Sequence, residues 1–165
     1  MSSASPDFIL VSEVDDARIA QPIFRRKLGG DPPEVPHHVV SFYRAPDGAL
    51  WPASYVHFRP FGDIYLVGGA STDGEVMRRM RDEEREAVKA AGGLYLQALR
   101  WAFAHYADRC DAYFGYCGDA RAWDVDMAAG FEPTGHDKLI ARWHKPLHEN
   151  VRRALVAKAH ALGPF

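Results

Sequence analysis

Gly92-Gly93 stand directly ahead of an apolar run, Leu94 to Phe103. A glycine pair opening a helix lets backbone N–H groups approach an anionic ligand, and the helix dipole favours negative charge there. That is chemistry for a phosphorylated cofactor. The same pair also fits a packing requirement with no ligand, and both readings stand on these residues alone. Asp73 follows a strand-like segment and could accept a proton directly or through water, yet Asp73-Gly74 is equally a turn former. Ser71 and Thr72 beside it offer hydroxyls and fit equally well as helix caps. Cys117 ends a second strand-like segment; as a nucleophile it needs a base beside it, and without one it is a buried thiol. The eight histidines are dispersed, without the close paired spacing of a zinc site, so no metal is expected. His57 alternates with Tyr55 and Arg59 on one strand face, which either lines a cleft or meets solvent.

The elements that must position these groups follow a single pattern. Phe8 to Val14 reads as a strand, and Asp15-Asp16 caps a helix over 17–28 that Pro22 bends or delays and Gly29-Gly30 ends. Three strands follow, His38–Tyr43, Trp51–Arg59 and Ile64–Gly68, joined by Pro46-Asp47-Gly48 and Phe61-Gly62-Asp63. Such tight turns make an antiparallel meander. Thr72 with Glu75 fits a capping box for a short helix through Met80, and Asp82-Glu83-Glu84 caps another to about Ala91. This polar excursion is long enough to be a lid or a substrate wall. The apolar helix from Gly93 to Tyr106 then leads to a strand over Asp111–Tyr116, a crossover that implies a locally parallel pair. A helix over 120–129 and a strand over 138–143 complete the body. Leu147, Val151, Leu155 and Leu162 recur at helical spacing in a closing helix from Pro146, stopped by Gly163-Pro164. That helix packs on the body or on a second copy.

The chain's 165 residues and 47% hydrophobic content suit one α/β domain with its own core. A net charge of −2 gives no basic surplus for nucleic acid. No apolar run is long enough to cross a bilayer, and Met1 to Pro6 lacks the basic and apolar parts of a secretory leader. Cys110 and Cys117 form no disulfide framework, so a cytoplasmic protein with free thiols is expected.

The order strand, helix, meander, helix, strand, helix, strand resembles the GNAT superfamily of acyl-CoA-dependent N-acyltransferases. The most specific segment is Asp119-x-x-Ala122-x-x-Val125-Asp126-x-x-x-Gly130-Phe131. It is similar to the family's Asn-x-x-Ala-x-x-Leu-Tyr-x-x-x-Gly-Phe, and the likeness spans about residues 8–143. The resemblance implies a mixed sheet whose third meander strand holds a pantetheine arm, at Leu66, Val67 and Gly68, with acetyl-CoA or another acyl-CoA as co-substrate. It implies a phosphate loop at Ala91, Gly92 and Gly93, with Lys89 adding positive charge and Asp119 among the cofactor-facing residues. It also sets Asp73 and Cys117 near the thioester. Two departures stand out: Ala91 and Val88 replace the loop's first glycine and its Arg or Gln, and Asp126 replaces a tyrosine that often protonates the leaving thiolate. An aspartate near its ordinary pKa is ionised at neutral pH and donates no proton unless burial raises that value. Asp126 is otherwise a surface or hydrogen-bonded residue.

Three functions remain open at this point. The first is acyl transfer to a small-molecule or protein amine, with Asp73, Cys117 and Asp126 as the catalytic candidates. The second is an inactive GNAT-like protein that binds CoA or another small ligand. The third is an interaction protein whose closing helix and meander edge build a homodimer.

Overall fold

The computed structural model describes residues 4–165; residues 1–3, part of the segment read for a leader, lie outside it. Strand β1 (Ile9–Val14) leads through a 3-10 turn (Ala17–Ala20) into helix α1 (Gln21–Lys27). Asp16 caps the turn through the Arg18 N–H. Pro22 falls in the first turn of α1, where its missing N–H is tolerated, so the α-helix starts late. Strands β2 (His37–Arg44), β3 (Leu50–Phe61) and β4 (Ile64–Thr72) form the antiparallel meander, and β1 extends it by pairing with β2.

Helices α2 (Gly74–Arg79) and α3 (Asp82–Ala90) fill the excursion before α4 (Leu94–His105). Their caps differ from the sequence reading. Thr72 stays in β4, paired with Ser54, and Asp73 caps α2 by accepting the Glu75 N–H at 3.0 Å. Asp82 is the first helical residue of α3; the cap there is Glu84 reaching back to the Arg81 N–H at 2.9 Å. Glu84 also accepts the Tyr43 hydroxyl at 2.8 Å, and both residues are buried. The excursion is thereby pinned to β2 as a wall.

After α4 come β5 (Ala112–Tyr116), α5 (Ala120–Ala128), β6 (Glu132–Pro133), β7 (Leu139–Trp143) and α6 (Glu149–Leu162). The seven strands lie in the order β1-β2-β3-β4-β5-β7-β6, with β4 and β5 parallel and every other pair antiparallel. The crossover through α4 requires that parallel pair.

Residues of β4 alternate between the two faces of the sheet. Tyr65 and Val67 meet Leu99 and Phe103 of α4, while Ile64 and Leu66 meet Leu155 and Ala159 of α6. The closing helix thus packs on its own sheet. It starts at Glu149 rather than Pro146, and Val151 and Leu162 face solvent while Ala159 carries the contact. Helix α1 covers the same face further along, with Ile23 and Phe24 on Val40 and Tyr55. Among the described residues no helix is long and apolar enough to cross a membrane.

Candidate functional site

The parallel ladder between β4 and β5 is short. Ile64, Tyr65, Leu66 and Val67 pair with Ala112, Tyr113, Phe114 and Gly115, and there the pairing stops although β4 continues to Thr72. A bulge explains the parting. His57 of β3 faces Gly68 and Tyr55 faces Ser71, so Gly69 and Ala70 together oppose Val56. Gly69 has φ +64°, and a Cβ there would sit 2.7 Å from His57 Nδ1. Only glycine lets β4 bend this way beneath the imidazole. The parted strands open a cavity of about 160 Å³, walled by Val67, Gly68 and Gly69 on one side and by Tyr95, Cys117 and Asp126 on the other. Leu66 points the opposite way, into the contact with α6.

The start of α4 closes one end of this cavity. Gly93 donates its N–H to Val88 at 2.9 Å and Gly92 donates to Lys89 at 3.0 Å, which is the bond pair of a Schellman helix end on α3. Gly92 and Gly93 have φ of +94° and +90°, so the backbone itself demands glycine at both. Their N–H groups are therefore engaged, and Ala91 is buried with its carbonyl bound by Gln97. The donors that remain are the first amides of α4, those of Leu94, Tyr95 and Leu96, because Gly93 caps the helix without a side chain. Leu94 and Tyr95 line a groove of about 690 Å³ that also takes in Lys89, Arg85 and Arg121. Arg85 is bound to Asp82 and to backbone carbonyls of α2. Lys89 and Arg121 are exposed and have no carboxylate partner among the described residues.

Inside the cavity the Tyr95 hydroxyl lies 2.7 Å from Asp126 Oδ1. Asp126 is 4% exposed, so it is no surface residue. Burial raises its carboxyl above the ordinary range, opposed by the hydrogen bond from Tyr95. Tyr95 is held protonated by burial and by the neighbouring Asp126. Sequence reasoning missed Tyr95. Its signal was the spacing Tyr95, Leu99, Phe103, which puts one hydroxyl on the buried face of α4.

The remaining candidates take structural positions. Burial first, and Asp126 second, push the Cys117 thiol up to about 11, so it is no thiolate at neutral pH. The thiol donates to the Asp119 carbonyl at 3.4 Å, and the Asp119 carboxylate caps α5 through the Ala122 N–H at 2.8 Å. Asp73 is 1% exposed, ion-paired with Arg26 and engaged as the α2 cap, and it does not line the cavity. His57 lies against Gly68 and Gly69 with Nδ1 buried and without a hydrogen-bond partner among the described residues. Burial pulls its pKa down to about 4. Cys117 and Gly118 also border a second groove of about 530 Å³, lined by Trp123, Pro133, His136 and Lys138.

No family model and no curated protein matches the chain. Solved structures do match its fold. The ribosomal-protein-S18-alanine N-acetyltransferase from Escherichia coli superimposes with a TM-score of 0.55 at 14% identity, over 86% of this chain and 97% of its own. The aminoglycoside 6'-N-acetyltransferase from Enterococcus faecium gives 0.54 at 8% identity, over 85% and 99%. A GNAT family acetyltransferase from Brucella melitensis, solved in complex with acetyl-CoA, gives 0.50 at 12% identity, over 85% and 90%. Identity this low speaks for architecture alone, and the architecture is the GNAT fold of acyl-CoA-dependent N-acyltransferases.

Proposed function

We propose that the protein is an acyl-CoA-dependent N-acyltransferase. One observation carries the reading: β4 parts from β5 after Val67, and Tyr95 lines both the cavity so opened and the groove at the start of α4. The residues lining the two fit acyl-CoA. The amides of Leu94, Tyr95 and Leu96, with Lys89 and Arg121, suit a pyrophosphate. The unpaired backbone edge of β4 from Gly68 to Ala70 suits the amide groups of a pantetheine arm. When bound, acyl-CoA supplies a thioester activated for attack by an amine.

The chain's own residues then define the acceptor side. The groove bordered by Cys117 and Gly118, on the far side of the same residues, suits an amine acceptor. The neutral thiol of Cys117 favours direct transfer over a covalent acyl-enzyme. Among the neighbours, one is named for a ribosomal-protein alanine and another for an aminoglycoside, so the acceptor here is an amine of either a protein or a small molecule. A CoA binder without turnover is the second reading, favoured by the engagement of Asp73 with Arg26.

Calorimetric titration with acetyl-CoA, followed by thiol release with an amine panel, tests the proposal. Binding on the order of micromolar with amine-dependent thiol release supports the transferase. Binding without release on any amine supports the second reading, and no binding of any acyl-CoA overturns both.

A further inference from the structure

Strand β1 lies at one end of the sheet and, among the described residues, pairs only with β2. Just before the strand, the Arg44 N–H donates to the Phe8 carbonyl at 2.8 Å. Backbone bonding alternates along an antiparallel pair. Leu10, Ser12 and Val14 therefore direct their N–H and C=O groups to β2, while Val11 and Glu13 direct theirs outward. Neither outward N–H finds an acceptor among the described residues, and the Glu13 carbonyl accepts the hydroxyl of neighbouring Ser12 at 3.0 Å.

The two ends of the sheet differ. At the far end β6 has two residues, one of them Pro133, which has no N–H to offer. A short edge with a proline resists further pairing. Strand β1 has six residues, no proline and a single charge, Glu13. That carboxylate turns to the α4 face, where it accepts the Tyr106 hydroxyl at 2.8 Å and meets His37 and His105. The opposite face of the strand carries Leu10, Ser12 and Val14. Leu10 is 39% exposed, and Ser12 is exposed beside it. An open strand edge without charge on that face is a template for another strand.

We propose that this edge pairs with the β1 edge of a second copy, antiparallel about a two-fold axis at Ser12, so that one sheet runs through both copies. The outward groups lie at odd positions, so bonds form only in registers that set odd positions against odd ones. The register centred on Ser12 sets Val11 against the second copy's Glu13, and by symmetry Glu13 against its Val11. Every outward N–H and C=O of these residues then has a partner. Leu10 meets Val14 across the axis and Ser12 meets Ser12, so apolar side chains face each other and no like charges do. The register centred on Val11 serves less well. It sets Glu13 against Ile9, whose N–H is already bonded to the Pro6 carbonyl at 2.9 Å. A strand of six residues gives a smaller contact than the roughly 800 Å² per partner of a standard interface, so association in the micromolar range is expected.

Sedimentation equilibrium of the wild-type chain from about 1 to 200 μM is expected to show monomers exchanging with dimers. Ser12 meets Ser12 as a non-hydrogen-bonded pair, with Cα atoms about 4.5 Å apart and within disulfide reach. Ser12→Cys is therefore expected to cross-link into a dimer under mild oxidation. Leu10→Cys, set against Val14, is expected to stay uncross-linked, and the native Cys110 and Cys117 are buried. Ser12→Lys brings like charges together on the axis and is expected to weaken association about fivefold or more. Its circular dichroism should stay that of wild type, because Ser12 is exposed. A wild-type chain that stays monomeric throughout overturns the proposal. So does a dimer that Ser12→Cys fails to cross-link, that Leu10→Cys cross-links instead, or that Ser12→Lys leaves unweakened.

Discussion

Replacing Glu84 with alanine should loosen the wall that leads into the α4 start. Its carboxylate accepts the Tyr43 hydroxyl at 2.8 Å, the Arg81 N–H at 2.9 Å and the Arg81 guanidinium at 2.9 Å. Tyr43 is 1% exposed, so its orphaned hydroxyl would cost about 1–3 kcal/mol. The lost cap adds about 1 kcal/mol. The guanidinium contact adds little because Arg81 is mostly in solvent. A total of about 2–4 kcal/mol corresponds, for a chain of this size, to a fall in Tm of roughly 6–12 °C. Thermal and urea unfolding followed by circular dichroism measure it. Val88 and Leu94 share a cluster with Tyr43, so acyl-CoA affinity should fall in the still-folded variant as well. The Arg81 guanidinium is the first cause that pulls Glu84 from the usual 4.5 down to about 2. A depressed carboxylate stabilises the fold above its unfolded pKa, and that stability drains as pH falls from about 4.5 through about 2. Glu84→Gln should flatten that acid limb. A Tm for Glu84→Ala within about 2 °C of wild type would refute the assigned role of the Tyr43–Glu84 contact.

Other substitutions probe the site itself. Gly69→Ala meets both a φ of +64° and the His57 ring, so it should lose more stability than the about 1–2 kcal/mol of backbone strain. Gly93→Ala, whose Cβ meets nothing within 4 Å, should lose only that strain; equal losses in denaturant titrations would contradict the bulge packing. Lys89→Glu and Arg121→Glu should each weaken acetyl-CoA about tenfold or more and reduce the salt dependence of binding, read by calorimetry at two ionic strengths. His57, pulled down by burial to about 4, should stay neutral in an imidazole NMR titration until pH approaches that value. The unfolded chain binds the proton first, so stability is full above about 6.5 and falls, by up to about 3 kcal/mol, as pH drops to about 4. His57→Gln should remove most of that slope, leaving the smaller contribution of His38.

The order of elements was legible because periodicity and punctuation agree along most of the chain. The meander turns at Gly48 and Gly62 both carry positive φ, and the apolar Leu94 to Phe103 run has to be buried by a crossover. Gly130-Phe131 marked the end of α5 through its segment likeness, and Phe131 is 4% exposed in the core around α4. Legibility failed where one residue type serves two purposes. Gly92-Gly93 read as amide donors, but the pair first closes α3, and the donors move onto the first turn of α4, at Leu94, Tyr95 and Leu96. Asp73 read as a base because a carboxylate follows a strand; its pairing with Arg26, 47 positions away, is visible only in three dimensions. Tyr95 and Asp126 lie 31 positions apart, and each alone looks ordinary. The β6 strand, two residues with a proline, carries no periodicity at all.

The most direct measurement is a backbone amide NMR titration of the isotope-labelled protein with acetyl-CoA. Saturable shifts are predicted at Leu94, Tyr95 and Leu96, the free donors of α4, together with Gly68 to Ala70 along the open edge of β4. The Gly92 and Gly93 amides, already bonded to α3, should move less. Binding whose shifts bypass both segments, or no shifts at millimolar acetyl-CoA, would contradict an acyl-CoA site between the parted strands.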